Sequence, residues 1–415
     1  MSKLEEMLKY VSEHNEFYKN RIKEYGIKDP LDINQWPILT RKELQENRYN
    51  MFSDGYKSKY FDQQLHRQTS SGTSGTPINV YWDAKDYYLS NRSLWRRRFQ
   101  YYKILPNDKR IMFTLRVYEK NTKDSIPFYR NEWNNLLVIN TSFLNEVLQD
   151  DLVKIINDFE PKWLYITPYT LNNLMDIYEK LSILPPKSLK YIESVGELLS
   201  NSLRKRAESF FGVPVANMYG SEEVNGIAYE CPYGHMHIVS DNVYLEYIRD
   251  ENKFDESDGE ALVTCVTNKA MPLIRYNQSD IIRIDSQSIK CDCGCNSPIV
   301  RVIKGRVREQ ILIDDDNGHQ LYINPYLLNE MMEEANNTLG DKIIWFNYVY
   351  FKSDRTLRCL VALPDKQWFP SVSKAIVSAF NLRIGYRTAK LRFEVVCVDE
   401  PTFVSGKKSI LHIVQ

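Results

Sequence analysis

Several short segments of this 415-residue chain carry side chains suited to chemistry on a phosphorylated ligand. Thr69-Ser70-Ser71-Gly72-Thr73-Ser74-Gly75-Thr76-Pro77 sets two glycines among hydroxyl residues. Glycines let backbone amides converge on an anion and hydroxyls donate further hydrogen bonds, so the segment can cradle a polyphosphate. It is not the Gly-x-x-x-x-Gly-Lys-Ser/Thr loop, because no Lys follows Gly75, and no Gly-x-Gly-x-x-Gly occurs to start a dinucleotide site. In Tyr219-Gly220-Ser221-Glu222-Glu223 a carboxylate can hold Mg²⁺ through one oxygen while nucleotide oxygens and water complete the octahedron. Read in isolation, the same residues are a solvated Glu pair at a helix start. Asp280 of Arg275-Tyr276-Asn277-Gln278-Ser279-Asp280 can accept two ribose hydroxyls, and Arg306 of Lys304-Gly305-Arg306 can bridge ribose and phosphate. Lys407, on the Ser405-Gly406-Lys407-Lys408 turn, can reach a distant site.

A second chemistry is written in the cysteines. The chain has seven, an odd count that argues against a disulfide framework in a large reduced protein. Cys231-Pro232-Tyr233-Gly234-His235-Met236-His237 and Cys291-Asp292-Cys293-Gly294-Cys295 supply two ligand pairs about 55 residues apart, suited to tetrahedral zinc. The competing reading is buried reduced cysteines beside a surface histidine. The spacing is not that of a zinc finger, so no nucleic-acid role follows, and four protein ligands would make the metal structural.

The elements that must position these groups read as a parallel sheet flanked by helices between about residues 110 and 220. Expected strands are 110–115, 136–139, 163–166, 191–195 and 213–218. Ser142 reads as the N-cap of a helix through Leu152 and Ile156, a second helix crosses Leu171, Leu174 and Tyr178, and a third runs from about Ser200 to Phe211, stopped by Gly212. Ligands of such sheets bind beyond the carboxyl ends of the strands, which puts Gly196-Glu197 and Tyr219 to Glu223 at one rim. Beyond residue 240 two-residue alternation predicts antiparallel strands at 242–248 and 261–267, and from about 306 a strand–helix–strand–strand–helix–strand order predicts a small α+β domain with a hairpin from 343–351 and 357–362. Trp95-Arg96-Arg97-Arg98 with Tyr101 and Tyr102 reads as a solvated helix face, and Glu193 with Glu197 as residues flanking a strand end rather than an acid/base couple.

Composition narrows the classes. Lys+Arg 54 balance Asp+Glu 54, so no net field draws the chain to nucleic acid or an anionic membrane. No apolar run reaches the roughly 18 residues of a membrane span, and residues 1–7 read as an amphipathic helix rather than a signal peptide. The expected setting is cytoplasmic. Glycine is scarce, 16 residues or about 4% against an average near 7%, so each is expected where the backbone needs it.

Taken in order, these motifs resemble the adenylate-forming (AMP-binding) superfamily across nearly the whole chain. The short N-terminal region and the Cys/His pattern look most like its phenylacetate–CoA ligase and CapK-type branch. The resemblance implies an α/β fold: a large N-terminal domain of β-sheets flanked by helices, residues 1–305, and a smaller mobile α+β domain, 306–415, carrying Lys407. It implies that Ser70, Ser71, Gly72, Thr73, Ser74, Gly75 and Thr76 grip the β- and γ-phosphates of ATP. Tyr219 would stack on adenine, with Gly196, Glu197, Asn217, Met218, Gly220 and Ser221 along the nucleotide rim. Glu223 would hold Mg²⁺, Asp280 the ribose, Arg306 ribose or phosphate, and Lys407 the reacting carboxylate and α-phosphate. It favours Cys231, His237, Cys291 and Cys293 as zinc ligands, with Cys295 and His235 as alternates.

The implied reaction is ATP-dependent activation of a carboxylic acid as an acyl-adenylate, then transfer to coenzyme A. An amine or carrier acceptor is the runner-up, and a zinc-containing nucleotide-binding module without catalysis the reading from another class. Homodimerisation is compatible with all of these. The acid would lie near Trp133, Tyr165, Thr167, Pro168, Glu197 and Met218. Three departures from the family pattern stand out: Thr76 where many relatives carry Lys, Gln278 in place of Gly, and Arg308 at the hinge position.

Overall fold

The structure is a computed structural model describing residues 1–69, 78–114, 128–131, 133–140, 149–249, 258–285, 290–306, 311–314, 320–323, 325–339, 342–343, 345–363, 365–385, 388, 390–399 and 411–414. Its central feature is a mixed sheet of twelve strands. In spatial order they are Val243–Ile248, Gly259–Cys265, Tyr276–Ile284, Ile299–Arg306, Met236–Ile238, Asn225–Glu230, Val215–Ser221, Tyr191–Val195, Trp163–Ile166, Arg110–Thr114, Leu136–Asn140 and Phe128–Arg130.

The five strands from Val215–Ser221 to Leu136–Asn140 pair in parallel, as the alternation of apolar runs and helical patterns predicts. Side chains of a strand point alternately to the two faces. Ile111, Ile139, Leu164 and Ile192 meet the apolar stripes of helices Gln149–Phe159, Pro168–Leu181 and Asn201–Phe211 through Ile156, Leu174 and Phe211. On the other face Trp163, Tyr191, Val195 and Met218 meet helix Ala84–Tyr102 through Leu94, Trp95 and Tyr102. Local signals explain the helix limits. Ser200 accepts from the Leu203 N–H at the start of Asn201–Phe211, and Gly212, at φ 67°, ends it. Ser142 lies outside the described residues.

Two expectations need correction. Antiparallel pairing begins at Asn225–Glu230, well before residue 240, because Tyr219 to Ser221 continue their strand and Glu222 to Val224 turn it into a hairpin. The Glu pair therefore sits at a hairpin tip and not at a helix start. The Arg96–Arg98 run is not a solvated face either: Arg97 and Arg98 are buried, since the sheet covers that side of the helix.

The described chain divides into two compact units, one of Met1–Glu246, Leu262–Asn277 and Ile284–Arg301, the other of Tyr247–Ala261, Gln278–Arg283 and Val302–Gln415. In the second, a four-stranded sheet runs in the order Arg392–Val398, Thr356–Ala362, Trp345–Phe351, Leu411–Val414. Leu328, Met331, Val372 and Ile376 of helices Pro325–Leu339 and Phe369–Phe380 join Tyr348, Leu357 and Val361 in its core. The expected hairpin is present, with Tyr348 opposite Cys359. Among the described residues no helix is long and apolar enough to cross a membrane.

Candidate functional site

The rim is built by two adjacent strand ends. Tyr191–Val195 stops at Gly196, which adopts φ +78°, a left-handed conformation open to glycine at little cost. The chain then places the Glu197 carboxylate at the start of the neighbouring helix, where Oε2 accepts the Tyr169 N–H at 3.0 Å. The Thr167 hydroxyl caps the same helix through the Thr170 N–H, so Thr167, Pro168 and Glu197 form one fixed corner, and Thr167 Cγ2 is the atom nearest an imagined Cβ on Gly196.

Next to it, Asn217 pairs with Ser194 and Met218 with Val195. Asn217 donates its backbone N–H to Glu230 Oε2 at 2.7 Å, and Arg204 holds both Glu230 oxygens at 2.9 and 2.7 Å. Met218 packs with Leu94, Val195, Tyr229 and Val239. At Gly220 the hairpin closes so tightly that a Cβ would stand 2.5 Å from the Asn225 carbonyl oxygen. Only glycine fits, and the register slips between Tyr219 and Gly220. Among the described residues the buried Ser221 hydroxyl has no hydrogen-bond partner.

The hairpin turns Glu223 inward, leaving its side chain 8% exposed. Its Oε1 receives the Tyr276 hydroxyl at 3.5 Å and faces an Arg41 guanidinium nitrogen at 3.6 Å. Both contacts are long for hydrogen bonds. Asp280 is half-buried in Tyr276–Ile284, in the part of that strand grouped with the second unit. Arg306 ends the strand Ile299–Arg306. Ser70 to Thr76, Arg308 and Lys407 lie outside the described residues. Trp133, expected near the acid, is 77% exposed, whereas Tyr165 and Glu197 are half-buried and Pro168 is buried.

Beneath the rim lies a charge network that sequence reasoning missed. Arg98 donates Nε to Glu193 Oε2 at 2.8 Å and a terminal nitrogen to Oε1 at 2.6 Å. Tyr229 donates to Oε2 at 2.8 Å, and Tyr191 donates to the same oxygen. Burial opposes the charged form of Glu193, yet the Arg98 guanidinium and these hydrogen bonds outweigh it and hold the carboxyl below its ordinary value. The guanidinium lies over Trp95 and Trp163, 4.6 and 5.0 Å from their ring centroids. With its oxygens occupied, Glu193 is no acid/base partner for Glu197.

The Cys/His segments converge as expected. Ligand atoms of Cys231, His237, Cys291 and Cys293 all lie within 4.8 Å of one another. Two tight turns present them, with Gly234 and Gly294 at φ 75° and 79°. Cys231 Sγ is 3.7 Å from Cys291 Sγ and His237 Nε2 is 3.2 Å from Cys293 Sγ. His237 Nδ1 donates to the Ser297 carbonyl at 3.0 Å, which leaves Nε2 as the ligand nitrogen. Against the effect of its burial, hydrogen bonds led by His235 bring the Cys291 thiol down to about 6, toward the thiolate that binds metal. His235 Nδ1 lies 3.1 Å from Cys291 Sγ, and the Cys295 N–H points to Cys293 Sγ at 3.4 Å, so both alternates border the cluster. Tyr101 donates its hydroxyl to Cys293 Sγ at 3.7 Å, tying the cluster to the helix that carries Arg98. Thiolate and imidazole donors at this spacing fit zinc.

No family model matches the chain. Curated phenylacetate–coenzyme A ligases do: that of Thermus thermophilus is 27% identical over 184 residues, 42% of this chain and 41% of the relative. That of Escherichia coli K12 is 26% identical over 293 residues, 67% of this chain and 64% of the relative. Each alignment thus spans less than two thirds of its relative. Among solved structures, 2-hydroxyisobutyryl-CoA ligase in the postadenylation state with 2-HIB-AMP matches with TM-score 0.75 at 16% identity, covering 100% of this chain and 88% of that one. An acyl acid amido synthetase in complex with 2,4-DB matches with TM-score 0.60 at 14% identity, covering 99% and 90%. At such identities the likeness concerns the fold. The chain has the fold of these ligases and is similar in sequence, over part of its length, to curated phenylacetate–coenzyme A ligases.

Proposed function

We propose that this protein activates a carboxylic acid with ATP, forming an acyl-adenylate and pyrophosphate, and passes the acyl group to coenzyme A. The observation that carries the reading is Glu223: an inward-turned carboxylate at a hairpin tip, next to the strand end Tyr219 to Ser221 and against Tyr276 of the Asp280-bearing strand. That arrangement supports a site for a nucleotide and its cation. The acid carboxylate attacks the α-phosphorus in line and pyrophosphate leaves, a reaction in which positioning and charge stabilisation supply most of the catalysis.

The roles follow the resemblance. Tyr219 lies beside adenine, Asp280 takes the ribose hydroxyls, and Ser70 to Thr76 take the β- and γ-phosphates. Arg306 serves ribose or phosphate, and Lys407 holds the acid against the α-phosphate. Glu223 would hold Mg²⁺, which offsets phosphate charge when bound. Cys231, His237, Cys291 and Cys293 would hold a structural zinc whose work is to pin two turns at the end of strand Asn225–Glu230 away from the hairpin tip. Residues beyond 305 act as a domain that moves between adenylation and transfer, in a cytoplasmic protein that keeps its thiols reduced.

The fixed corner of Thr167, Pro168 and Glu197, with Tyr165 behind it, supports an aryl or short hydrophobic acid. The functional test is acid-dependent ATP–pyrophosphate exchange, followed by AMP release with coenzyme A or with an added amine. Release with an amine and none with coenzyme A would favour an amide ligase of polysaccharide or natural-product synthesis, in the manner of the CapK resemblance.

A further inference from the structure

Arg41 took no part in the motif reading, yet the structure holds it beside Glu223. It is the first residue of helix Arg41–Asn47, whose start is fixed by a reciprocal capping box between Thr40 and Glu43. The segment before it is laid along the strand of Tyr276. Leu39 forms a parallel bridge with Tyr276, its N–H donating to the Arg275 carbonyl and its carbonyl accepting the Asn277 N–H, both at 3.0 Å. Arg275 donates to the Trp36 carbonyl at 2.6 Å. The buried Arg21 donates to Ile38 O at 3.0 Å and to Glu43 at 2.7 Å. Trp36 and Leu39 are buried. The backbone of Arg41 is therefore fixed on three sides relative to Tyr276, and its guanidinium reaches the same Glu223 oxygen that the Tyr276 hydroxyl contacts.

A buried carboxylate without a positive partner is strongly unfavourable, so a carboxylate that receives a divalent cation needs another partner before the cation arrives. Arg41 meets that need. At 3.6 Å its pair with Glu223 is looser than the pair of Arg98 with Glu193 at 2.6 Å, so it can be given up. We propose that Arg41 is a positioning residue that holds Glu223 in place and competes for it with the divalent cation, so that the cation enters with the nucleotide and not alone. This rests on the reading of Glu223 as the Mg²⁺ carboxylate. Arginine has no lone pair to offer a metal, so it can act only through the carboxylate.

The test is Mn²⁺ binding to the zinc-loaded full chain without nucleotide, read by electron paramagnetic resonance. Removing a competing charge at this separation should tighten Mn²⁺ binding roughly tenfold in Arg41→Gln, while Arg41→Lys, which keeps the charge, stays close to wild type. Arg41→Met preserves the aliphatic stem and carries the same expectation should the Gln variant fold poorly. Adding Glu223→Gln should abolish the gained binding. Unchanged or weaker Mn²⁺ binding in the neutral variants, or a gain that survives Glu223→Gln, overturns the proposal. An exchange-competent wild type with unchanged Mn²⁺ binding in the variants strikes Arg41 alone, whereas a wild type without acid-dependent exchange strikes the functional reading beneath it.

Discussion

Arg98 and Glu193, 95 positions apart in the chain, meet as a buried two-point ion pair under the candidate nucleotide rim, at 2.8 and 2.6 Å. The pair joins helix Ala84–Tyr102 to the strand that ends at Gly196. Breaking one side of such a pair strands a charge, at a cost of about 3–5 kcal/mol, whereas replacing both sides with apolar residues is often near neutral. Urea unfolding should show Arg98→Met strongly destabilised and Arg98→Met with Glu193→Met restored most of the way. Equal losses in the single and double variants would remove the pair from its structural role.

The same pair makes stability depend on pH. The Glu193 carboxyl is held below its ordinary 4.5 in the folded chain, so its contribution is complete above that value and is lost as pH falls through the lower folded value. Unfolding free energies measured from pH 7 down to 3 should fall less steeply in Glu193→Gln than in wild type. Parallel slopes would contradict the assignment.

Gly220 offers a sharper steric test. A Cβ there meets backbone, 2.5 Å from Asn225 O, and backbone cannot swing aside as a side chain can. Gly220→Ala should cost about 1–3 kcal/mol in unfolding and should displace Glu223, lowering exchange activity as well. A variant with wild-type stability and activity would mean that the hairpin tolerates the shift.

The Cys231, His237, Cys291 and Cys293 cluster predicts about one tightly bound zinc per chain by elemental analysis. Cys291→Ser should lose most of it, whereas Cys359→Ser, buried in the second unit, should keep it. Because His237 and the cysteines hold two turns and not the reacting groups, zinc loss should lower thermal stability more than the initial exchange rate. A metal-free chain of unchanged stability would exclude a structural zinc.

Much of this was legible locally. The strands read at 110–115, 163–166 and 191–195, the Ser200 cap and the Gly212 stop follow from apolar periodicity and capping chemistry, and the two converging Cys/His segments from the spacing of their residues, whereas the choice of Cys231, His237, Cys291 and Cys293 among them rests on the family resemblance. What escaped depends on pairs distant in sequence. The Arg96–Arg98 run reads as solvated until the sheet face bearing Glu193 covers it. The Glu222-Glu223 pair reads as a helix start because the Gly220 and Gly226 pairing that makes a hairpin is not a local propensity. Arg41 carries a legible signal in the Thr40 and Glu43 capping box, but its approach to Glu223 comes from the bridge between Leu39 and Tyr276.

The most direct measurement is exchange of labelled pyrophosphate into ATP across a panel of aryl, fatty and amino acids. Exchange should require both an acid and Mg²⁺, and Glu223→Gln and Lys407→Ala should each lower it by roughly 10²-fold, the scale of losing a principal charge stabiliser. No exchange with any acid of the panel, or exchange untouched by both substitutions, would contradict acid adenylation at this site.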